Sequence, residues 1–281
     1  MMIGITGGKG GTGKTVVAVN LAVAIAKSGR KVTYLDCDAD CPSAHIVMGI
    51  ERGERRAVRS FIPKFNSRKC KRCGKCVSVC EVKALYQLPG KAPTLLEQIC
   101  NGCEACLLAC PFNAIRRGEK IVGWTYRGER GGVELFSGEL KPSEPLSEKI
   151  VDAVKERGRK EGKGEIFIVD TSAGAHCQVV RALEGCKMAI AVTEPTLFGI
   201  HDLKVISSVL KKLKISYKVV VNRSSISKRK VKNATMEIPY DRMMIECYTK
   251  GIPMVERFPE HPISKKFFNF AERMLACAKR K

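Results

Sequence analysis

Residues 7–15 read Gly-Gly-Lys-Gly-Gly-Thr-Gly-Lys-Thr, a glycine-rich turn that ends in Lys14 and Thr15. An apolar run over residues 2–6 precedes it and predicts a buried strand, and an apolar stripe with helical spacing follows it to about Lys27. Between a strand and a helix, such a turn directs its backbone N–H groups toward phosphate oxygens, and the helix N-terminus adds positive potential. The pattern therefore predicts a phosphate-binding loop in which Lys14 reaches the β- and γ-phosphates and the Thr15 hydroxyl binds Mg²⁺.

The same alternation of strand and helix continues along most of the chain. A second strand over residues 31–35 completes a β-α-β start, which indicates a parallel sheet. Further elements are predicted as a helix over 145–158, a strand over 165–170, a strand over 188–192, a helix over 201–213 and a strand over 217–221. We therefore expect an α/β fold with a mostly parallel sheet, helices on both of its faces, and ligands at the carboxyl ends of its strands.

Composition limits the function classes. The chain carries 50 Lys and Arg against 28 Asp and Glu, a net charge of +22 that favours acidic partners, although ordinary surface charge explains it equally well. Aromatic residues make up only 6%, which argues against reading single-stranded bases by stacking. The sequence has no run of about 18 apolar residues and no recognisable export signal, so we expect a cytoplasmic protein without a transmembrane segment. In that reducing compartment, 14 cysteines indicate metal or redox chemistry.

The alternating pattern breaks near residue 51. Residues 51–75 contain ten Lys or Arg and two acids without steady periodicity, and eight cysteines follow between Cys70 and Cys110. The strand and helix pattern then returns, so an inserted domain interrupts the α/β domain. The predicted division is a first part over 1–58, the insert over 59–122 and a second part over 123–281.

The eight cysteines form two runs with the same C-x2-C-x2-C-x3-C spacing, 30 residues apart, so the insert contains a duplicated unit. This spacing resembles that of the small α+β bacterial ferredoxins with two [4Fe–4S] clusters, in which the fourth cysteine of each run ligates the other cluster. Glu81 departs from that pattern, which has proline there. Structural zinc sites are the alternative, and matched four-cysteine runs fit them poorly. The resemblance implies one cluster on Cys70, Cys73, Cys76 and Cys110, and another on Cys100, Cys103, Cys106 and Cys80.

A second lysine, Lys9, lies inside the phosphate loop. The segment Lys-Gly-Gly-Thr-Gly-Lys-Thr over 9–15 resembles the deviant Walker A loop of the MinD/Mrp superfamily of P-loop ATPases (SIMIBI class), which includes MinD/ParA proteins, Mrp-type iron–sulfur carriers and the nitrogenase iron protein. The resemblance implies that Lys9 crosses a dimer interface to the ATP of the second subunit, where a cation stabilises the transition state; a solvent-facing lysine is the alternative. The implied nucleotide contacts are Gly8, Lys9, Gly10, Gly11, Thr12, Gly13, Lys14 and Thr15.

Two acidic segments match the same family in order. Residues 36–40, Asp-Cys-Asp-Ala-Asp, resemble switch I, where we expect Asp38 to position the attacking water or the Mg²⁺ shell. Residues 170–174, Asp-Thr-Ser-Ala-Gly, resemble the Walker B and switch II segment. There Asp170 would hold Mg²⁺ through water, and the Gly174 N–H would sense the γ-phosphate. For each acid alone, a helix cap or a solvated carboxylate is the alternative.

The family resemblance extends to Val-Val-Val-Asn-Arg over 219–223, which is similar to the strand whose asparagine binds adenine, so Asn222 is a candidate adenine contact. Cys177 lies at the offset at which the nitrogenase iron protein has a cluster-bridging cysteine, but an inert or substrate-facing thiol is the favoured interpretation. The C-terminal helix is basic and amphipathic, as in the membrane-binding tail of MinD, although a closing helix packed on the sheet is favoured.

The resemblance implies a Mg²⁺-dependent ATPase that forms a homodimer or pairs with a related ATPase. One function is electron transfer through the two clusters to an acidic protein, gated by ATP hydrolysis. The alternative is an ATP-dependent carrier or maturation factor that delivers a cluster or metallocofactor to an acceptor protein. Complete four-cysteine ligation favours electron transfer, because carriers hold a labile cluster at an incomplete or exposed site. A MinD/ParA-like positioning ATPase on nucleic acid or an anionic membrane is a third, less favoured hypothesis.

Overall fold

The structure, a computed structural model, describes residues 1–279. Its strands are β1 (Met2–Thr6), β2 (Val32–Cys37), β3 (Arg55–Phe65), β4 (Leu85–Tyr86), β5 (Thr94–Leu95), β6 (Ile115–Arg130), β7 (Val133–Leu140), β8 (Ile166–Thr171), β9 (Met188–Thr193), β10 (Ser216–Val221) and β11 (Ala234–Glu237). Its helices are α1 (Lys14–Lys27), α2 (Ala44–Met48), α3 (Lys75–Ser78), α4 (Ala105–Leu108), α5 (Ser147–Glu161), α6 (Cys177–Leu183), α7 (Leu197–Lys212), α8 (Arg242–Thr249), α9 (Met254–Arg257) and α10 (Pro262–Lys279).

Nine strands form one sheet in the order β11-β10-β9-β1-β8-β2-β7-β6-β3, while β4 and β5 pair separately. All neighbours in the large sheet run parallel except β6, which is antiparallel to both β7 and β3. The inner strands are apolar on both faces, as expected for a parallel sheet covered by helices. The predicted α/β fold with a mostly parallel sheet is confirmed, and each predicted strand and helix of the α/β domain is present within a few residues.

Helices cover both faces of the sheet. On one face, α1 packs against α10, α2, α8 and α9 in the largest apolar cluster, which contains Ile3, Ile5 and Tyr34. On the other face, α5, α6 and α7 pack on residues such as Leu35 and Val169. Adjacent strand residues point to opposite faces, so the neighbours Tyr34 and Leu35 belong to different clusters. The site therefore lies on a rigid sheet that is packed from both sides.

The insert is continuous with this sheet. Strands β3 and β6 pair along their whole common length, from Arg55 opposite Tyr126 to Phe65 opposite Ile115. Strand β6 pairs with β7 only from Gly123 onward, opposite Leu140. The predicted boundaries at 58/59 and 122/123 therefore lie inside β3 and β6. Residues 59–65 and 115–122 form a two-stranded extension that carries the cysteine segment beyond the sheet.

The extension leaves the sheet at the same edge as the phosphate loop. Strand β7 is parallel to β2, with Asp36 opposite Ser137, so its last residue, Leu140, lies at the carboxyl edge. Because Gly123 pairs with Leu140 and β6 runs antiparallel, residues 115–122 project outward from that edge. The carboxyl edge of a parallel sheet is where ligands bind in this architecture. The nucleotide loop and the cysteine segment thus lie on one side of the molecule.

Helix α10 closes the large apolar cluster. Phe267, Phe270 and Met274 are buried against α1 and its neighbours, so its apolar face is occupied by the core, in agreement with the closing-helix hypothesis. The basic residues Arg280 and Lys281, part of the predicted basic tail, lie outside the described residues. Within residues 1–279, no helix has the length and apolar character that crossing a membrane requires.

Candidate nucleotide site and cysteine cavities

The phosphate loop joins β1 to α1 in a conformation that needs glycine. Gly13 has φ +82°, and an added Cβ would lie 2.3 Å from the Asn222 side-chain nitrogen, so no larger residue fits there. The Lys14 side chain is 8% exposed and its Nζ donates to the Lys9 carbonyl at 3.2 Å. Burial lowers the pKa of Lys14, and the nearby carboxylates of Asp170 and Asp38 oppose this. The loop thus holds a desolvated cation beside two acids.

Asp170 is the penultimate residue of β8 and is fully buried. Its Oδ2 accepts a hydrogen bond from the Tyr34 hydroxyl at 2.8 Å, whereas its Oδ1 has no partner within the described residues. Burial raises the pKa of Asp170 to about 6, while the nearby Thr15 hydroxyl, the bond from Tyr34 and the charge of Lys14 lower it. A buried carboxylate oxygen without a partner, beside the Thr15 hydroxyl, is a donor set that suits a hydrated Mg²⁺. These residues therefore fit the metal that the sequence predicts.

The two neighbouring acids at the end of β2 have different surroundings: Asp36 lies within the strand and Asp38 directly follows it. Asp36 is fully buried and accepts hydrogen bonds from the backbone N–H groups of Asp38 and Ala44, at 3.2 and 3.0 Å, so it fixes the loop that leads into α2. Asp38 lies nearer the loop opening and accepts a bond from Cys41 N at 3.4 Å. Burial raises the pKa of Asp38, and the charge of Lys14 lowers it. Asp38, the acid expected from sequence to act on the nucleotide, is thus half-buried within reach of the Lys14 charge, and its role stays a prediction.

Switch II touches the phosphate loop directly. The Gly174 N–H, at φ +93°, donates to the Gly7 carbonyl at 3.1 Å. The predicted contact between the Gly174 N–H and a γ-phosphate would therefore require this N–H to break its bond to the Gly7 carbonyl. Cys177, at the start of α6 a few residues further, is exposed.

Lys9 is exposed on the outer side of the loop. Its Nζ lies 5.9 Å from the centre of the Phe198 ring, within the range of a cation–π contact. Phe198 and Leu197, at the start of α7, are 74% and 65% exposed. Large exposed apolar side chains beside a free cation are typical of a surface that another protein covers.

Asn222 supports the phosphate loop. It is 8% exposed, and its amide donates to the Thr12 carbonyl at 2.9 Å. The next residue, Arg223, bonds Glu194 at 2.8 Å and the Gly11 carbonyl at 3.4 Å. Sequence reasoning chose Asn222 as an adenine contact and did not assign a role to Glu194 or Arg223. Asn222 and Thr12 are 210 positions apart, so no local sequence pattern links them. The one sequence signal for their contact is that each lies in a segment that follows a strand.

The eight cysteines of the insert line two small cavities of nearly equal size. The first is lined by Cys70, Cys73, Cys76 and Cys110. The second is lined by Cys80, Cys100, Cys103 and Cys106. In each cavity three cysteines come from one run and the fourth from the other run. The two halves of the duplicated segment are therefore interleaved around the cavities.

The lining of each cavity supplies the four thiols that a [4Fe–4S] cluster takes as ligands. Among the side chains that the structure describes, those of residues 1–276, no three histidine, cysteine or acidic groups are placed to hold a single metal ion. Four thiols spaced around a cavity instead suit a [4Fe–4S] cubane, whose irons each take one thiolate. Burial raises the pKa of Cys106 to about 11, so cluster binding at neutral pH must displace a proton from this thiol.

A comparison with known proteins identifies the family. The sequence profile of the CobQ/CobB/MinD/ParA nucleotide-binding domain matches residues 3–267. The chain belongs to this family. The Methanocaldococcus jannaschii protein MJ0579 is 36% identical over 252 residues, which cover 89% of this chain and 90% of MJ0579. From the same organism, the ATP-binding protein MJ0547 is 26% identical over 286 residues, covering 98% and 88% of the two chains.

A solved structure shows the same fold. The septum site-determining protein MinD from Pyrococcus horikoshii, complexed with Mg-ADP, aligns with a TM-score of 0.61 and 21% identity over 97% of this chain and 95% of that one. As a MinD/ParA family member, the chain is a nucleotide-binding P-loop protein of a family whose members are ATPases. Its cysteine segment lies within the matched range.

In this MinD/ParA family member, the end of β7 links the segment after β2 to the base of the cysteine extension. Leu140 N, at the end of β7, donates to the Ala39 carbonyl at 2.9 Å, and Lys141 N donates to the Val122 carbonyl of β6 at 2.9 Å. Ala39 is the residue after Asp38. Only a few residues therefore separate Asp38 from the strand that carries the cysteine cavities.

A second contact ties the insert to the α/β domain. Lys120 of β6 forms a buried ion pair with Glu144 at 2.7 Å, and its Nζ also donates to the Glu97 carbonyl at 2.8 Å. Glu97 lies just before the second cysteine run. The second cavity is thus braced against the α/β domain through one lysine.

Proposed function

We propose that the protein is a Mg²⁺-dependent ATPase that couples the nucleotide state of a dimer to electron transfer through two [4Fe–4S] clusters. The observation that carries this proposal is the pair of four-cysteine cavities at the end of a strand extension, whose base is joined through Leu140 and Lys141 to the residue after Asp38. The nucleotide chemistry in this proposal is inferred from membership of the nucleotide-binding family. The site of action is the cytoplasm, where thiols stay reduced.

On the nucleotide side, the roles follow from position and charge. Lys14 binds the β- and γ-phosphates, Asp38 orients the attacking water, and Thr15 and Asp170 hold Mg²⁺. When bound, Mg²⁺ neutralises charge that develops on the phosphate oxygens. Asp170 is buried, and one of its carboxylate oxygens has no partner among the described residues. A cation bound there stabilises the ionised form of Asp170 over the protonated form.

Dimerisation completes the nucleotide site in this proposal. Exposed Lys9 reaches the nucleotide of a second copy, or of a related ATPase, and adds a cation at the γ-phosphate. The exposed side chains of Leu197 and Phe198 beside it give the apolar centre that such an interface needs. The position of the Lys9 cation next to this apolar surface supports the proposed dimer interface.

On the cysteine side, full ligation favours electron transfer over delivery of a cluster. Each cavity has four thiols, so a bound cluster has no open iron for an acceptor to attack. When bound, such clusters supply reversible one-electron chemistry. Hydrogen bonds from Leu140 to Ala39 and from Lys141 to Val122 give the path by which a moving switch I displaces the extension.

The test is an anaerobic assay that follows iron and electrons separately. Purified protein should contain about eight irons per chain and bleach on reduction. With Mg²⁺ and ATP, the reduced protein should pass electrons to a redox acceptor and keep its iron when mixed with a chelator or an apo-ferredoxin. Transfer of iron to the apo-protein would make it a carrier, and about two zinc ions without visible absorbance would refute the clusters.

A further inference from the structure

The two cysteine runs differ sharply in the charge of their loops. Residues 68–75 read Arg-Lys-Cys-Lys-Arg-Cys-Gly-Lys, with five cations and no acid. The matching residues 30 positions later, 98–105, read Gln-Ile-Cys-Asn-Gly-Cys-Glu-Ala, with no cation and one acid. Since the two segments share spacing and local fold, cluster ligation does not require the cations of the first loop.

All five cations of the first loop face solvent. Within the described part of the chain, none of them forms an ion pair with an acid. By contrast, the lone acid of the second loop, Glu104, is paired with Arg117. The first loop is therefore an uncompensated positive surface, which we call the cationic loop; its charged residues are Arg68, Lys69, Lys71, Arg72 and Lys75.

The two cavities also lie at different distances from the sheet. The second is lined by Phe61 and Pro63 of β3, while the first is lined by Phe65, the last residue of that strand. In the second loop, an added Cβ on Gly102 would lie 2.4 Å from Ser60 Oγ, so that loop packs against β3. The second cavity is thus proximal to the ATPase sheet, and the first is distal, at the tip of the extension.

Apolar atoms and a thiol are accessible within the cationic loop. Cys73, which lines the distal cavity, is exposed, and Phe112 on the rim of the same cavity is 41% exposed. An apolar centre with a charged rim is the usual composition of a protein–protein interface. The loop contains no exposed aromatic ladder of the kind that stacks nucleic acid bases.

We infer that the cationic loop is the docking surface for an acidic one-electron carrier protein, and that the distal cluster site is where electrons enter or leave. This inference rests on the proposed function. In the entering direction, the carrier loses one electron and the distal cluster gains it, and no covalent bond forms or breaks. The proximal cluster then lies between the distal cluster and the edge of the sheet that carries the phosphate loop.

The test uses an acidic flavodoxin hydroquinone as donor and the iron-loaded full chain as acceptor, mixed anaerobically in stopped flow. Flavin oxidation is followed separately from cluster bleaching. The variant Lys69→Glu, Lys71→Glu, Lys75→Glu should lower the second-order rate at least about tenfold at low salt, because steering of this kind contributes 10- to 1000-fold. The difference should shrink as salt rises.

The matched control makes the same charge change elsewhere. Lys204, Lys211 and Lys212 are exposed on α7, in the opposite half of the sheet, and their change to Glu should leave the rate within about twofold. The neutral triple change to Gln at 69, 71 and 75 should give an intermediate rate and guards against loss of iron in the reversed variant. Iron content is measured for every variant.

Several outcomes overturn the inference. Equal rate losses in both Glu triples would assign the effect to net charge, and no loss in either would leave the loop without a docking role. If dithionite bleaches the clusters but flavodoxin hydroquinone does not, the clusters stand and the docking surface falls. If the protein binds no iron, both the proposed function and the docking role of the cationic loop are excluded. A DNA gel shift that the 69/71/75 reversal abolishes, with the electron-transfer rate unchanged, would assign the loop to nucleic acid.

Discussion

The ATPase sheet and the cysteine insert are stabilised in different ways. The sheet buries a large apolar cluster under helices on both faces, so its folding is driven by burial of hydrocarbon. The apolar cluster around the cysteine cavities contains eight buried residues, and four of them are cysteines: Phe61, Cys76, Cys80, Ala84, Leu85, Cys100, Cys106 and Ile115. Its two helices have four residues each, far below a length that is stable alone. We therefore expect the sheet to fold by itself and the insert to need the proposed clusters.

Backbone strain in the insert supports this contrast. Arg72, Lys83, Glu104 and Asn113 all have positive φ, a conformation that costs non-glycine residues about 1–3 kcal/mol each. Lys83 and Asn113 are 30 positions apart, so the duplicated unit repeats the strain. Such conformations persist only when surrounding structure holds them in place. Four thiolate bonds per cluster would do so.

Removal of iron should give the largest effect. Anaerobic treatment with a chelator should unfold residues 66–114 while the sheet keeps its thermal transition, because only the insert depends on metal. Hydrogen exchange measured by mass spectrometry should show loss of protection across 66–114 and unchanged protection in β1, β8 and β9. Retained protection in the iron-free insert would break the contrast between the regions.

Lys14→Ala should have the opposite effect to iron removal: it should impair the nucleotide site and leave the insert intact. Loss of the cation that binds the β- and γ-phosphates should lower ATP hydrolysis by at least about 100-fold, as for removal of other groups that stabilise transition-state charge. Iron content and the cluster spectrum should stay at wild-type values. Radiometric hydrolysis and iron analysis of the same preparation test both parts. Loss of iron in this variant would mean that the two regions do not fold independently.

The same contrast explains what could be predicted from sequence. Strands β1, β2, β8, β9 and β10 are short apolar runs between recognisable helices, and local pattern was sufficient for them. Strand β3 was missed because its first half is exposed and rich in arginine, and β6 because its 16 residues serve both the insert and the sheet. Pairing with a distant partner, rather than local periodicity, makes these segments strands.

The site shows the same division. The loop residues from Gly8 to Thr15 and the acids Asp38 and Asp170 could be chosen because their spacing and their place after strands are local features. The bond from Asn222 to Thr12, the bridge from Leu140 to Ala39 and the brace from Lys120 to Glu144 join distant parts of the chain. No sequence motif marks these contacts, because each depends on the packed arrangement of the strands.

Lys9→Ala should separate binding from turnover. Since Lys9 is exposed and outside the loop interior, the variant should bind ATP within about threefold of wild type yet hydrolyse it about 100-fold more slowly, because a cation supplied across an interface acts in the transition state. Equilibrium binding of a fluorescent ATP analogue and steady-state hydrolysis test this. Lys27→Ala is the control, because Lys27 is an exposed lysine at the far end of α1. A normal hydrolysis rate for Lys9→Ala would exclude a role across the dimer.

Mg²⁺ binding should depend on pH through Asp170. The raised pKa, about 6, means that this carboxyl holds a proton below pH 6, and the metal must displace it. Affinity for Mg²⁺ should therefore fall by up to about tenfold per pH unit below 6 and level off above it. Without metal, the same shift lowers wild-type stability as pH rises from about 4 to about 6, because the folded state binds the extra proton.

The pH experiment has an internal control. Asp170→Asn removes the titrating group, so its thermal midpoint should lack both the Mg²⁺ response and the part of the pH dependence between 4 and 6 that wild type shows. Differential scanning calorimetry with and without Mg²⁺ measures both. An equal Mg²⁺ response at pH 5 and pH 7.5 in wild type would mean that Asp170 does not share its proton with the metal site.

Asn222→Ala tests which of two roles this residue has. In the structure its amide donates to the Thr12 carbonyl, so its loss leaves a buried acceptor unpaired at a cost of about 1–3 kcal/mol and loosens the loop. A loosened loop weakens ATP and GTP binding equally, by a few-fold to about 100-fold, whereas loss of an adenine contact weakens ATP alone. Titration of both nucleotides separates the two roles, with iron content as the check that the insert is unaffected. Because the Thr12 carbonyl belongs to the loop itself, we expect equal losses, and a selective loss of ATP would instead assign Asn222 to the base.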